Sequence, residues 1–418
     1  MIPGFRHPLV QKTIGDLLQA IEPQSMLKLV PFLRTDSSPK PSFDTLTAWT
    51  YPSSSSRKGH KTHLMATLNV TPDSFSDGST HQAVGNALEY VYNSVKGGAS
   101  IIDIGGYSTR PGAKFVSVEE EIERVVPVVR AIREWSSRRD SEAGGWDQAV
   151  VEKAKNIPIS VDTFRWEVAE SALEAGASCI NDVYSFTGPH ADPSIPSLGP
   201  GEERHPPEEY LRHLKSIARR FAVPVVLMHS RGDAGKDKTY NIYDYAKTGD
   251  ATDSDSAPGT TIEGVRIELG RKVDEIVKGK GGVRRWLVIV DPGVGFSKTL
   301  QGNLEVIARA QDIVSDVWIG KGVLPSRWHG IVSHYTSDRT ILNPLRGYPL
   351  LIGASRKSFL GVILENGEAS RKTAPKERGW ATAATVCTAV QQGALVVRVH
   401  DTREMMDVIK VSEALWVA

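Results

Sequence analysis

The chain of 418 residues carries 50 Lys and Arg against 49 Asp and Glu, a formal net charge of +1. That length suffices for one large α/β domain or two smaller ones, and the even balance, without long blocks of like charge, excludes a tail that binds nucleic acid or membrane by electrostatics alone. Cys179 and Cys387 lie far apart in apolar surroundings without metal-ligand spacing, so both are expected as buried thiols of a reducing compartment. No apolar run approaches the ~20 residues of a membrane span and the N-terminal stretch lacks a signal-peptide pattern, which points to a soluble intracellular protein.

Residues 1–34 hold an amphipathic segment, Ile14, Leu17, Leu18 and Ile21, and residues 35–60 turn rich in Ser, Pro and Lys, the composition of a linker. A segment too short for its own core, followed by a linker, points to a larger unit upstream and a truncated N-terminus. From residue 63 a two-part rhythm begins: a short apolar run, a polar or glycine-rich turn, then a longer stretch with helical period. The runs fall at 63–69, 100–104, 157–161, 178–181, 223–228, 286–290, 348–353 and 394–399. Between the second and third, Val118, Ile122, Val125, Val129 and Ile132 share one helical face. Glu119, Glu120, Glu121 and Glu123 sit near its start, where the helix dipole favours acids, and Pro127 marks a kink.

Continuous apolar strands separated by helices imply a parallel sheet covered on its outer side, and eight of them imply closure. The expectation is an α/β fold, a (β/α)8 barrel of ~250 core residues. It occupies 61–418, enlarged by polar insertions near 136–155, 188–208, 231–260 and 313–346, with a short N-terminal extension. A doubly wound open sheet is the alternative.

Reactive groups of such barrels collect at the C-terminal strand ends, which share one face. Asn69 closes the first strand, Asp103 the second, Asp162 the third, Asn181 and Asp182 the fourth, His229 the fifth and Asp291 the sixth. Ser355-Arg356-Lys357 follows the seventh, and Arg398 with His400 ends the eighth. Asp and Asn after a strand commonly form turns or cap helices. Asp103 in Ile-Ile-Asp-Ile and Asp162 in Ile-Ser-Val-Asp-Thr instead belong to the strands, where a buried carboxylate requires partners. Asp162, Asn181 and Asp291 suit a flat heterocycle whose edge carries N–H donors. Lys357, Arg398 and His400 bring donors to the part of the barrel where phosphates commonly bind. A substrate with both a ring and a phosphate fits this set.

Leu-Asn-Val-Thr-Pro-Asp-Ser-Phe-Ser-Asp-Gly (68–78), Asp-Ile-Gly-Gly-Tyr-Ser-Thr-Arg-Pro-Gly (103–112), Ile-Asn-Asp-Val (180–183), Asp-Pro-Gly-Val-Gly-Phe-Ser-Lys-Thr (291–299), Ala-Ser-Arg-Lys-Ser-Phe (354–359) and Arg-Val-His-Asp (398–401) closely resemble the motifs of dihydropteroate synthase, in that family's order. The resemblance runs from about 63 to 415. It implies a TIM barrel and an alkyl-group transferase of folate biosynthesis. The family joins 4-aminobenzoate to 6-hydroxymethyl-7,8-dihydropterin diphosphate, giving 7,8-dihydropteroate and pyrophosphate through an SN1-like cation. Carried over, Asp162, Asn181, Asp291 and Lys357 hold the pterin, with Asp103 close by. Asn69, Arg398 and His400 bind the diphosphate, with Mg²⁺ bridging Asn69 and phosphate oxygens. Thr109 and Arg110 act from the second loop. Phe75 and Pro111 wall the aminobenzoate site, with Ser358 and Lys357 on its other side, where sulfonamides compete. Asp103, Lys357 and Arg398 carry the catalytic roles.

Two departures from the family pattern stand out: Asp77-Gly78-Ser79 lacks a second glycine common in the first loop, and Tyr107 replaces a glutamate common in bacterial members, so Tyr107 receives no role. The polar insertions suggest a fungal form, in which the synthase is often the last module of a chain that includes the preceding pyrophosphokinase. Residues 1–34 resemble that module's tail. The resemblance also implies a homodimer, in the cytoplasm or, given a targeting segment upstream, in mitochondria. Rival readings are a barrel transferring methyl from methyltetrahydrofolate to a corrinoid protein, which does not need the long first loop or the diphosphate set, and a scaffold barrel without catalysis.

Overall fold

The computed structural model describes residues 61–70, 80–107, 115–135, 146–189, 205–231, 260–319, 341–366 and 370–416. The N-terminal segment and linker expected over 1–60 lie outside the described residues. Strands form where the apolar runs occur: β1 His63–Asn69, β2 Ile101–Gly105, β3 Ile159–Asp162, β4 Cys179–Asp182, β5 Val225–Met228, β6 Val288–Asp291, β7 Leu351–Ile352 and β8 Val396–Val399. All pair in parallel, each with its neighbour in sequence, and β1 pairs with β8. A parallel bridge between Val290 and Leu350 joins β6 to the start of β7. The sheet therefore closes into a (β/α)8 barrel, and the open doubly wound alternative is set aside.

β3, β5 and β7 begin two or three residues later than their apolar runs, each behind a proline. Pro158, Pro224 and Pro349 stand just ahead of β3, β5 and β7. Each lacks an N–H to donate yet offers its carbonyl to the neighbouring strand, at Ile102 N (3.0 Å), Ile180 N (3.1 Å) and Val290 N (2.9 Å). The strands are rich in Ile and Val and buried on both faces, as parallel strands roofed by helices must be. Those helices include α1 Thr80–Lys96, α2 Val118–Arg133, α3 Gln148–Asn156, α4 Trp166–Glu174, α5 Pro207–Phe221, α6 Thr260–Lys278 and α7 Leu300–Ala308, followed by α8 Ala310–Ile313, α9 Ser358–Leu364, α10 Gly379–Gln391 and α11 Thr402–Trp416. Among the described residues no helix is long and apolar enough to cross a membrane.

Four local expectations change. The stretch 136–155 is not simply an insertion: Asp147 caps α3 by accepting from Ala149 N at 2.8 Å, and Val151 and Ala154 are buried. Helix α2 runs through Pro127 without interruption. Glu121 does not join its neighbours at the helix dipole but turns inward, fully buried, to pair with Arg165 at 2.8 Å. Cys179 is buried, its thiol pushed up to about 12 by burial, whereas Cys387 is only half-buried. The expected insertion 313–346 is closed at its base by an antiparallel pairing of Trp318–Ile319 with Ile341–Leu342.

Candidate active site

Strand register brings the in-strand acids together. Asp103 on β2 stands beside Thr67 and Ser160, and Asp162 on β3 beside Asn181 on β4. Arg398, inward from β8, closes the group from the other side. Its Nε donates to Asp103 Oδ2 at 2.6 Å and its Nη2 to Asp162 Oδ2 at 2.7 Å, while Asn181 Nδ2 donates to Asp103 Oδ2 at 3.1 Å. Asp103 is fully buried; Asp162 and Arg398 keep 23% and 22% of their side chains exposed, so they face the mouth. Burial pushes the Asp162 carboxyl up to about 7, against the pull of Arg398 and with the help of Asp103. Burial likewise opposes the Arg398 charge, but Asp103 and Asp162 outweigh it and hold the guanidinium above its usual range. The Oδ1 of Asp103 has no hydrogen-bond partner among the described residues.

A second group gathers at the ends of β6 and β7. Asp291 accepts from Gly293 N at 2.7 Å, and burial raises its pKa against the pull of Lys357, that hydrogen bond and Lys298. Lys357 Nζ donates to the Val294 carbonyl and lies 4.3 Å from the centre of the Phe296 ring. Gly295 passes so close under the Lys357 stem, at φ 79°, that a side chain would collide with it. Ser358 opens helix α9 immediately beyond Lys357. Ser355 Oγ takes the backbone N–H of His400 at 3.3 Å and meets His400 Nδ1 at 3.0 Å.

Asn69 ends β1, half-buried, beside Gly105. Phe75, Thr109, Arg110 and Pro111 lie outside the described residues. Tyr107, given no role from the sequence, packs edge-on against Phe164 at 5.8 Å, with the Arg165 guanidinium 5.0 Å over its ring. Of the expected set, the structure brings Asp103, Asp162, Asn181 and Arg398 into one hydrogen-bonded cluster. It brings Asp291 and Lys357 to one loop, and His400 to Ser355.

A third network escaped the sequence reading. Buried Lys298 and His229 join half-buried Glu268 and Arg231 in a chain next to the Asp291 loop, and Lys272 reaches Tyr184 O at 3.1 Å beside buried Asp182. The available signal was helix α6, where Glu268 and Lys272 stand one turn apart among Val265, Leu269, Val273 and Ile276, charges set into an apolar face.

A (β/α)8 barrel that gathers carboxylates and cations at the C-terminal ends of its strands defines a class, the barrel enzymes that build their sites on that face. The family model described as pterin binding enzyme matches residues 65–140 and 148–400. The dihydropteroate synthase of Synechocystis is 34% identical over 86% of this chain and 91% of its own length, and that of Bacillus subtilis 33% identical over 88% and 92%. The folic acid synthesis protein fol1 of Pneumocystis carinii is 33% identical over 98% of this chain, which spans 42% of that longer protein. Among solved structures, Xanthomonas albilineans dihydropteroate synthase with 4-aminobenzoic acid shares 28% identity at a TM-score of 0.57, over 86% of this chain and 94% of its own. The Burkholderia cenocepacia enzyme complexed with 7,8-dihydropteroate shares 26% at 0.55, over 85% and 92%. The chain belongs to the dihydropteroate synthase family, transferases of folate biosynthesis.

Proposed function

We propose that the chain condenses 6-hydroxymethyl-7,8-dihydropterin diphosphate with 4-aminobenzoate, giving 7,8-dihydropteroate and pyrophosphate. The observation that carries this reading is the Asp103–Arg398–Asp162 cluster with Asn181 against it: an acceptor floor held in place by a cation from β8, which lies on the other side of β1 from β2. The relatives solved with 4-aminobenzoic acid and with 7,8-dihydropteroate support it. Asp162, Asn181 and Asp291 accept the N–H edge of the pterin, and Lys357 lies along it. Arg398, His400 and Asn69 receive the diphosphate.

The carbon–oxygen bond at the pterin methylene breaks with its electron pair leaving on pyrophosphate. Cation character develops on the methylene, which the field of Asp103 and Asp162 stabilises. The aminobenzoate nitrogen then forms the carbon–nitrogen bond with its lone pair and loses one proton to pyrophosphate or solvent. Aniline is a weak nucleophile, so orientation and exclusion of water matter more than a strong base. Phe75 and Pro111 from the first two loops, with Ser358 and Lys357 on the other side, would wall the aminobenzoate, the place where a sulfonamide competes, and Thr109 and Arg110 would act from the second loop.

The donor set fits Mg²⁺ as an ion carried by the substrate. Among the described residues no three His, Cys, Asp or Glu side chains are grouped to hold a metal by themselves. Magnesium that takes most of its ligands from phosphate and water needs only one or two protein oxygens, and the side-chain amide oxygen of Asn69 at the end of β1 would supply one. Bound there, it would neutralise charge on the leaving pyrophosphate.

The chain also pairs, in this reading, as a homodimer: Trp380 (88% exposed), Val362 (45%) and Ile363 (38%) leave apolar surface on α9 and α10. The match to the longer Pneumocystis protein supports a fused origin, with an upstream folate-pathway module preceding residue 60. Incubating the purified chain with pterin diphosphate, 4-aminobenzoate and Mg²⁺, with mass-spectrometric detection of dihydropteroate, tests the activity. A folded protein that makes no product would refute it.

A further inference from the structure

The loop after β6 is fastened from behind by a cation that the chemistry above does not use. Lys298 is 5% exposed, and its ammonium meets three acceptors: the carbonyls of Gly293 at 3.0 Å and Phe296 at 3.2 Å, and Nδ1 of His229 at 3.0 Å. An ammonium has three hydrogens to donate, so this is a full complement, which holds the charged form against the burial that lowers the Lys298 pKa to about 7. The loop is shaped to offer those carbonyls, since Gly293, Gly295 and Ser297 all take left-handed conformations (φ 70°, 79° and 49°). At Gly293 a side chain would strike the His229 carbonyl, so only glycine can make the turn.

The acceptor on His229 is itself set by its neighbours. The Glu268 carboxylate takes the hydrogen of His229 Nε2 at 2.9 Å, which leaves the Nδ1 lone pair facing Lys298. Glu268 is held by Arg231 Nε at 2.9 and 2.7 Å on its two oxygens. Arg231 returns to the same loop, because Ser297 Oγ accepts its backbone N–H at 3.0 Å and donates to its carbonyl at 2.7 Å. Each link orients the next, as outer-shell partners orient the groups that touch a substrate.

The opposite face of this turn carries the groups assigned to the pterin. Gly293, whose carbonyl Lys298 holds, donates its N–H to Asp291; Val294 and Phe296 supply the carbonyl and ring on which the Lys357 ammonium rests. An apolar residue would pack such a loop without the desolvation cost of a buried ammonium. What the ammonium adds is a fixed position for Asp291 and Lys357. We infer that Lys298, oriented through His229 and Glu268, is a positioning residue for the pterin diphosphate, setting the β6 loop so that Asp291 and Lys357 meet the substrate together. The inference rests on the proposed pterin site.

Steady-state kinetics with each substrate varied in turn, on Lys298→Met and Asp291→Asn beside the parent chain, tests it. Lys298→Met is expected to raise KM for the pterin diphosphate about tenfold or more while KM for 4-aminobenzoate stays within about twofold. A pterin KM within twofold of the parent, or both KM values rising together, overturns the inference. If Asp291→Asn also leaves the pterin KM unchanged, the site reading itself falls, and the inference with it. Should Lys298→Met fail to fold, a pair at position 229 decides. Asn can offer an oxygen where Nδ1 stood, so His229→Asn is expected to keep a lower pterin KM than His229→Leu, and equal values overturn the inference.

Discussion

Arg398 Nε meets Asp103 Oδ2 at 2.6 Å over the first strand, joining the eighth strand to the second at the point where Asp103 is fully buried. The same guanidinium also holds Asp162, so one cation serves two carboxylates. Removing it would leave Asp103 charged and buried with only the Asn181 amide. Arg398→Ala is therefore expected to cost stability, about 3 kcal/mol, as well as to weaken pterin diphosphate binding. Adding Asp103→Asn should recover much of that stability without restoring activity. Urea unfolding of the two single variants and the double variant measures the coupling; strictly additive losses would show that the pair contributes little.

Asp162 gives the site a proton signature. Its carboxyl is pushed up to about 7 by burial, so near neutral pH part of the population is protonated. A pterin edge donating N–H bonds favours the ionised form and draws the pKa down. Binding near pH 7 should then release a fraction of a proton, and binding at a pH well above 7 should release none, since the group is already ionised. Calorimetric titration with pterin diphosphate in buffers of differing ionisation enthalpy reads this directly. Asp162→Asn is expected to abolish the buffer dependence.

The acid pairing shows where sequence reasoning reaches and where it stops. Asp103 and Asp162 could be placed in the barrel because each interrupts an apolar strand, and a strand residue has only two faces to choose between. That Arg398, read from the sequence as a diphosphate ligand, would also hold both carboxylates was not legible, since nothing local reveals which acids a guanidinium on a neighbouring part of a closed barrel meets. Glu121 was hidden differently. It follows two other glutamates in a first turn where the helix dipole accounts for all of them, and only the packing of α2 against α4 reveals that it faces Arg165. Helix α3 was lost to its polar composition, although Asp147 ahead of Val151 and Ala154 carried both cap and apolar face. Lys298 and His229 stood in view at strand ends, but their link depends on Glu268, thirty-nine residues after His229 on the outer helix.

The Glu121–Arg165 pair predicts a stability effect away from the chemistry. The two side chains are 1% and 3% exposed, and Arg165 also lies over the rings of Tyr107, Phe115 and Phe164 at 5.0, 5.7 and 5.3 Å. Glu121→Ala would remove a carboxylate from a buried guanidinium and should destabilise the chain by about 3–5 kcal/mol, whereas Glu121→Gln, which keeps one acceptor, should cost less. Thermal melts of both variants check the ranking; equal melting temperatures would contradict it.

Arg356 ties the cationic loops together without touching the acceptor floor. It takes a left-handed conformation, φ 60°, between Ser355 and Lys357, with its backbone N–H, its carbonyl and two guanidinium nitrogens engaged. Its N–H goes to Thr382 Oγ1 at 3.1 Å and its carbonyl accepts from Arg378 Nη1 at 3.1 Å; its guanidinium grips both oxygens of Asp401, with Nε 3.1 Å from Oδ2. Ser355 meets His400 next door, so adjacent residues of one loop are pinned to adjacent residues of the other. The bidentate fork is specific to arginine, so Arg356→Lys should behave nearly as badly as Arg356→Ala. Either variant, or Asp401→Asn, is expected to weaken pyrophosphate binding about tenfold by letting Lys357 and His400 drift apart, and the double variant Arg356→Ala/Asp401→Asn should lose little more than either single change. Pyrophosphate titration calorimetry on the four variants decides the matter: independent, additive losses would mean that Arg356 and Asp401 act separately rather than as one clamp.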